Sequence, residues 1–232
     1  MRRTISAVIA MGLLAVMVYS GAQLWALDEE IKAEQSLHMQ VLRHKPAEAT
    51  SGNAVEDPLA ELRKQNPDIV GWITVPYTNI DYPIVQAKDN DYYLRRDLNG
   101  AYAKPGTIFM DYRCAPDGGG YSILYGHNMK SGAMFGTLKR FEEKEFFDAH
   151  PEGRILLADG WHTLRFFAFL TVREDDPVIY GVPQSSEFLG NVAKRARHSR
   201  ETGAAATGRL VALSTCSYDY QGARMVLIGE II

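Results

Sequence analysis

The apolar positions of this chain fall into three successive patterns. From Thr4 to Leu27 no charge interrupts an apolar run. As a helix rising about 1.5 Å per residue, that run spans a hydrocarbon layer of about 30 Å. Arg2 and Arg3 precede it and Asp28-Glu29-Glu30 follow it, so the charge asymmetry places the N-terminal tip in the cytoplasm and the rest outside. A cleaved signal peptide is the competing reading, because Ser20 and Ala22 offer a small-residue cleavage site. Against it, the apolar run continues through Leu24-Trp25-Ala26-Leu27. Residues 28–56 then read as an extracytoplasmic stalk, helical to about Arg43, with a flexible linker over 45–53 containing Pro, Ala, Thr, Ser and Gly.

The third pattern begins at residue 57. Asp57-Pro58-Leu59-Ala60-Glu61-Leu62 joins an N-cap aspartate to a proline at the first helical position, which predicts a short helix. Short apolar or alternating runs follow at 69–75, 80–85, 107–110, 121–125, 154–157, 161–172, 209–214 and 224–231, separated by Gly, Pro, Asn and Asp turns. Eight such strands predict a closed or nearly closed β-barrel. Between the sixth and seventh, residues 187–198 predict a helix, with Ser185 or Ser186 as cap, an apolar face of Phe188, Leu189, Val192 and Ala193, and basic residues towards its end. The expectation is a mainly β protein with peripheral helices, residues 57–232 forming one domain.

Composition narrows the function. With 232 residues, a net charge of −3 and no basic cluster, the chain has no electrostatic footprint for nucleic acid. Two cysteines in an extracytoplasmic chain leave open a Cys114–Cys216 disulfide. Their settings differ, however. Cys114 lies in a turn-rich stretch ending in Gly118-Gly119-Gly120, whereas Cys216 closes the strand-like Leu213-Ser214-Thr215-Cys216, eight residues before Arg224 opens the next run. If the two runs form a hairpin, thiol and guanidinium stand side by side, roughly 4.5–5.5 Å apart as cross-strand partners. That is a nucleophile beside an anion stabiliser. Tyr125-Gly126-His127-Asn128 closes another strand with a histidine able to transfer protons for a cysteine nucleophile. Glu174-Asp175-Asp176 reads as a solvated turn, since calcium needs six to eight oxygens converging from several segments.

These segments, in order, resemble one family. Asn66-Pro67-Asp68-Ile69-Val70-Gly71-Trp72-Ile73, Ile80-Asp81-Tyr82-Pro83-Ile84-Val85-Gln86, Asp89-Asn90-Asp91-Tyr92-Tyr93-Leu94, Gly106 to Arg113, Tyr125-Gly126-His127-Asn128-Met129, Met134-Phe135-Gly136, Leu213-Ser214-Thr215-Cys216 and Arg224 are similar to the motifs of the sortases, class B. The helix predicted between the sixth and seventh strands is similar to the insertion that marks that class.

The resemblance implies a membrane-tethered cysteine transpeptidase of a Gram-positive surface. Such enzymes cut the C-terminal sorting signal of a secreted protein, usually between Thr and a following Gly or Asn. They pass the acyl group to an amine of a cell-wall precursor or to a pilin lysine. It implies Cys216 as nucleophile, His127 as general acid and base, and Arg224 as oxyanion stabiliser. It also implies a sorting-signal groove lined by Asn90, Leu94, Tyr125, Ser214 and Thr215, with Tyr180 as a further candidate, and neither metal nor cofactor. Cys114 departs from the family, where a polar residue such as asparagine is expected. Two alternatives stand beside this reading: a surface cysteine hydrolase of cell-wall peptides, and a non-enzymatic β-domain stapled by a disulfide.

Overall fold

The computed structural model describes residues 2–47, 57–182, 187–202 and 208–232, and it divides into two compact units, Met1–Gln40 and Val41–Ile232. The first unit belongs to a single helix, α1 (Arg2–Leu42), which carries the uncharged run and continues without a break into the expected stalk, ending at Leu42 beside the expected helical limit near Arg43. Leu13, Val16, Val18, Leu24 and Trp25 are all exposed on it. By length and composition α1 is able to cross a membrane.

In the second unit α2 (Ala60–Gln65) precedes β1 (Ile69–Val75), β2 (Ile80–Val85), β3 (Phe109–Met110) and β4 (Tyr121–Tyr125). Next come α3 (Lys144–Ala149), β5 (Glu152–Leu157), β6 (Gly160–Arg173), α4 (Pro177–Tyr180), α5 (Phe188–Arg195), β7 (His198–Ser199), β8 (Leu210–Cys216) and β9 (Ala223–Ile231). Adjacent strands follow the order β5-β1-β2-β3-β4-β8-β9-β6, and β5 pairs again with β6, closing an eight-stranded barrel. Closure depends on the 14-residue β6. One of its edges pairs with β9, while the other meets β5 near its start and β7 further on. The parallel pairs β2–β3 and β4–β8 need long crossovers, and those crossovers form the rim of the candidate site.

Side chains on opposite faces of the strands build two apolar clusters. Ile73, Ile84, Ile123, Phe135, Phe166, Leu213 and Leu227 belong to the larger one. Trp72, Val85, Phe109 and Leu156 share the smaller one with Leu59 and Leu62 around α2, and Val41 and Leu42 pack against it. Ile69 and Trp72 share a face despite their odd spacing because the β1–β2 register shifts between Ile69 and Gly71. A Cβ at Gly71 would lie 2.5 Å from the Leu156 carbonyl oxygen, so this close approach of β1 to β5 admits only glycine. Asp81 accepts from Trp72 Nε1 at 2.7 Å, Thr74 Oγ1 at 2.8 Å and Lys45 Nζ at 2.9 Å. The first residues of the expected linker are therefore held against β2, while residues 48–56 lie outside the description.

Several sequence expectations shift. The strand expected over 107–110 is reduced to Phe109–Met110. The helix expected over 187–198 ends at Arg195, because His198 is drawn into β7 opposite Phe169 and bonds the Glu142 carbonyl at 2.7 Å. The proposed caps Ser185 and Ser186 lie outside the described residues. Asp57 accepts from the Leu59 amide at 3.1 Å, so it caps the turn that leads into α2. The short α4 was not expected; Asp176 caps it by accepting from the amides of Val178 and Ile179, with Pro177 in its first turn.

Candidate active site

Cys216 is the last residue of β8, and the antiparallel register sets it directly opposite Arg224 on β9. The expected hairpin therefore forms, and Ser217 N closes it on the Ala223 carbonyl at 2.9 Å. Arg224 also faces Val172 across the β6–β9 ladder. Glu174, two residues beyond Val172, accepts from Arg224 Nη2 at 2.6 Å, while Nη1 donates to the Ala223 carbonyl at 3.1 Å. Cys216 is half-buried and lines an open groove of about 430 Å³.

The histidine arrives from the neighbouring strand. β4 lies parallel to β8 with Tyr125 opposite Ser214, so the chain leaving β4 runs beside Thr215 and Cys216. Two side-chain bonds secure this course: Thr215 Oγ1 donates to the Gly126 carbonyl at 2.7 Å and Asn128 Nδ2 donates to the Cys216 carbonyl at 2.8 Å. Gly126 is required sterically, since a Cβ there would meet Ile108 Cδ1 at 2.4 Å and the Phe135 ring at 2.9 Å. His127 Nε2 lies 2.8 Å from the Leu94 carbonyl oxygen. A carbonyl only accepts, so Nε2 carries a proton and Nδ1 is the nitrogen left to exchange one.

The wall of the groove is aromatic and tightly bonded. Tyr125 stacks on Tyr180 with centroids 6.4 Å apart and planes 16° from parallel. Tyr180 Oη lies 2.8 Å from Ser214 Oγ, and Tyr125 donates to Asp111 Oδ2 at 3.0 Å. Burial pushes the Tyr180 phenol up to about 12 and the Tyr125 phenol higher still, which keeps both neutral. All nine residues expected from the sequence line this one groove: Cys216, His127, Arg224, Asn90, Leu94, Tyr125, Tyr180, Ser214 and Thr215. Thr215 differs from the rest in having its hydroxyl committed to the Gly126 carbonyl.

Phe109, Arg113 and Glu174 also line the groove, with Asp111 behind them, and sequence reasoning assigned them no role. Asp111 and Arg113 sit inside a quoted motif, so position was legible but partnership was not. The carboxylates of Glu174, Asp175 and Asp176 diverge to three different arginines, Arg224, Arg173 and Arg195. Both thiols are free. Cys114 is buried, and burial pushes its thiol up to about 11.

A thiol, an imidazole and a guanidinium on one aromatic groove match the chemistry of acyl transfer through a thioester. The sortase domain family matches residues 73–232. A sortase B of Listeria monocytogenes is 34% identical over 229 residues, covering 94% of this chain and 93% of the relative. Among solved structures, a Bacillus anthracis protein similar to sortase B gives a TM-score of 0.72 at 32% identity, covering 88% of this chain and 96% of that one. A Streptococcus pyogenes class B sortase involved in pilus biogenesis gives 0.67 at 33% identity, covering 75% of this chain and 97% of that one. The chain belongs to the sortase family, in its class B, and is a cysteine transpeptidase.

Proposed function

We propose that Cys216 is the nucleophile, His127 the general acid and base, and Arg224 the oxyanion stabiliser of a transpeptidase that cuts C-terminal sorting signals at a threonine. The observation that carries this reading is the Cys216–Arg224 register, with His127 lining the same groove. The Cys216 thiolate adds to the threonyl carbonyl, whose oxygen takes the negative charge beside the Arg224 guanidinium. The tetrahedral species collapses, the C–N bond breaks, and the departing amine takes a proton from His127 Nδ1. The incoming amine then loses a proton to Nδ1 and attacks the thioester, expelling the thiolate and forming a new amide.

The acceptor in this reading is an amine of a cell-wall precursor. The similarity to the Streptococcus pyogenes enzyme involved in pilus biogenesis supports a pilin lysine as the alternative. Arg2 and Arg3 before the apolar run of α1, and Asp28-Glu29-Glu30 after it, support a single membrane anchor with its tip in the cytoplasm and residues 57–232 as the external catalytic domain.

The test uses the full chain in detergent with a peptide containing a Thr–Gly or Thr–Asn junction. Intact mass should show an acyl group on Cys216, and an added primary amine should divert product from the acid to the amide. Cleavage that ignores the amine would make the protein a hydrolase; the absence of any acyl-enzyme would remove Cys216 from the mechanism.

A further inference from the structure

The side chain of Asp111 is fully buried beneath the groove. It accepts five hydrogen bonds: from the Arg113 amide at 3.0 Å, Arg113 Nε at 2.8 Å, Arg113 Nη2 at 2.7 Å, Asn90 Nδ2 at 3.0 Å and the Tyr125 hydroxyl at 3.0 Å. Burial alone would raise its pKa, but these donors, Arg113 foremost, hold it below the ordinary carboxylate range. Asn90, Arg113 and Tyr125 all line the groove, so one buried carboxylate orients three groove residues.

That orientation has a definite polarity. Asn90 Oδ1 accepts from the Tyr112 amide at 3.1 Å, which fixes the carboxamide with its nitrogen towards Asp111 and leaves one N–H over. Tyr125 commits its only hydroxyl proton to Asp111. Arg113 commits Nε and one N–H of Nη2, and among the described residues Nη1 has no hydrogen-bond partner. Its side chain is 39% exposed where it meets the groove. Around Asp111 the N–H groups left over, on Asn90 and Arg113, are therefore donors, and the one carboxylate of this cluster is buried and saturated, while the half-exposed Glu174 carboxylate of the same groove is engaged by Arg224.

We infer that Arg113, aimed by Asp111, is a specificity-determining residue that takes an oxygen acceptor on the bound peptide, a carboxylate or carboxamide side chain upstream of the cleaved threonine. Asp111 is the positioning residue of this subsite. An ammonium-bearing side chain finds only donors and a guanidinium there, so the same arrangement rejects lysine. The inference rests on the reading of the groove as the sorting-signal site.

The full chain in detergent is given peptides with a fixed Thr–Gly junction that differ by Asn, Asp or Lys at one upstream position, scanned position by position. At one position Asn or Asp should exceed Lys in kcat/KM by about 10- to 100-fold, the effect of a hydrogen bond to a charged group. Arg113→Met should raise KM for the favoured peptide and collapse that ratio to within about threefold. Asp111→Asn should lower the ratio too, because a carboxamide cannot hold the guanidinium in its two-point grip. If loss of the buried pair unfolds Arg113→Met, Arg113→Lys reads the same ratio while keeping a cation beside Asp111. A folded Arg113 variant that loses activity equally on all peptides and retains the ratio overturns the inference. So does a wild type that cleaves every peptide without discrimination; a wild type that cleaves none of them overturns the proposed function beneath it.

Discussion

Arg224 stands directly across the β8–β9 ladder from Cys216 and donates through Nη2 to Glu174 Oε2 at 2.6 Å. The guanidinium of the residue paired with Cys216 is therefore held by a carboxylate just past the end of β6. That carboxylate is about half exposed, so the pair is an aiming device more than a source of stability.

Glu174→Gln should accordingly leave Tm within about 1 °C and lower kcat/KM roughly two- to fivefold, since an exposed ion pair contributes about 0.2–1 kcal/mol. Glu174→Lys should lower it further, because a like charge pushes Arg224 aside. Steady-state kinetics beside a thermal melt decide the matter; an unchanged kcat/KM in both variants would show that Arg224 needs no partner.

Arg224→Lys separates charge from geometry. Lysine keeps the cation but loses the planar fork of donors. We expect kcat/KM to fall by about 10²–10³, the usual effect of losing an oxyanion donor, with Tm nearly unchanged. A variant whose melting temperature and activity fall in proportion would mark Arg224 as a structural residue.

The two thiols should respond differently. Alkylation near neutral pH should modify Cys216 and spare Cys114, which is buried and whose thiol is pushed up to about 11. Because the folded state favours the protonated thiol, this contribution to stability is complete below the ordinary value of 9.0 and is lost as pH climbs through about 11. Cys114→Ala should therefore flatten part of the alkaline loss of stability in pH-dependent denaturant melts. Cys216→Ala should abolish the acyl-enzyme and leave the melts in place.

Shortening the chain at two points tests how the catalytic body begins. Val41 and Leu42 pack on the cluster of Leu59, Trp72 and Leu156, and Lys45 bonds Asp81. A chain starting at Val41 should be more stable than one starting at Asp57 by about 1–3 kcal/mol, the scale of burying one or two aliphatic side chains. Both should retain transpeptidase activity. Equal urea midpoints would mean that residues 41–47 contribute nothing to the fold.

Local pattern alone settled much of this protein. The apolar run of α1, the eight barrel strands and the Cys216–Arg224 hairpin all rest on periodicity and turn residues close in sequence, so each was legible before any tertiary contact. Boundaries moved where long-range pairing intervened. His198 left its expected helix because β6 offered an unpaired edge, and β3 kept only the two residues that find partners in β2 and β4. What the sequence alone does not contain is the partnership of charges far apart along it. Glu174 meets Arg224 only because β6 and β9 are adjacent in the closed barrel, and Asn90 and Tyr125 converge on Asp111 only because the crossover after β2 folds over the end of β4. Buried hydrogen bonds of that kind are set by the three-dimensional course of the chain. Residue type and spacing named the groups proposed to carry the chemistry, and the tertiary structure brought them to one groove and set their hydrogen-bond partners.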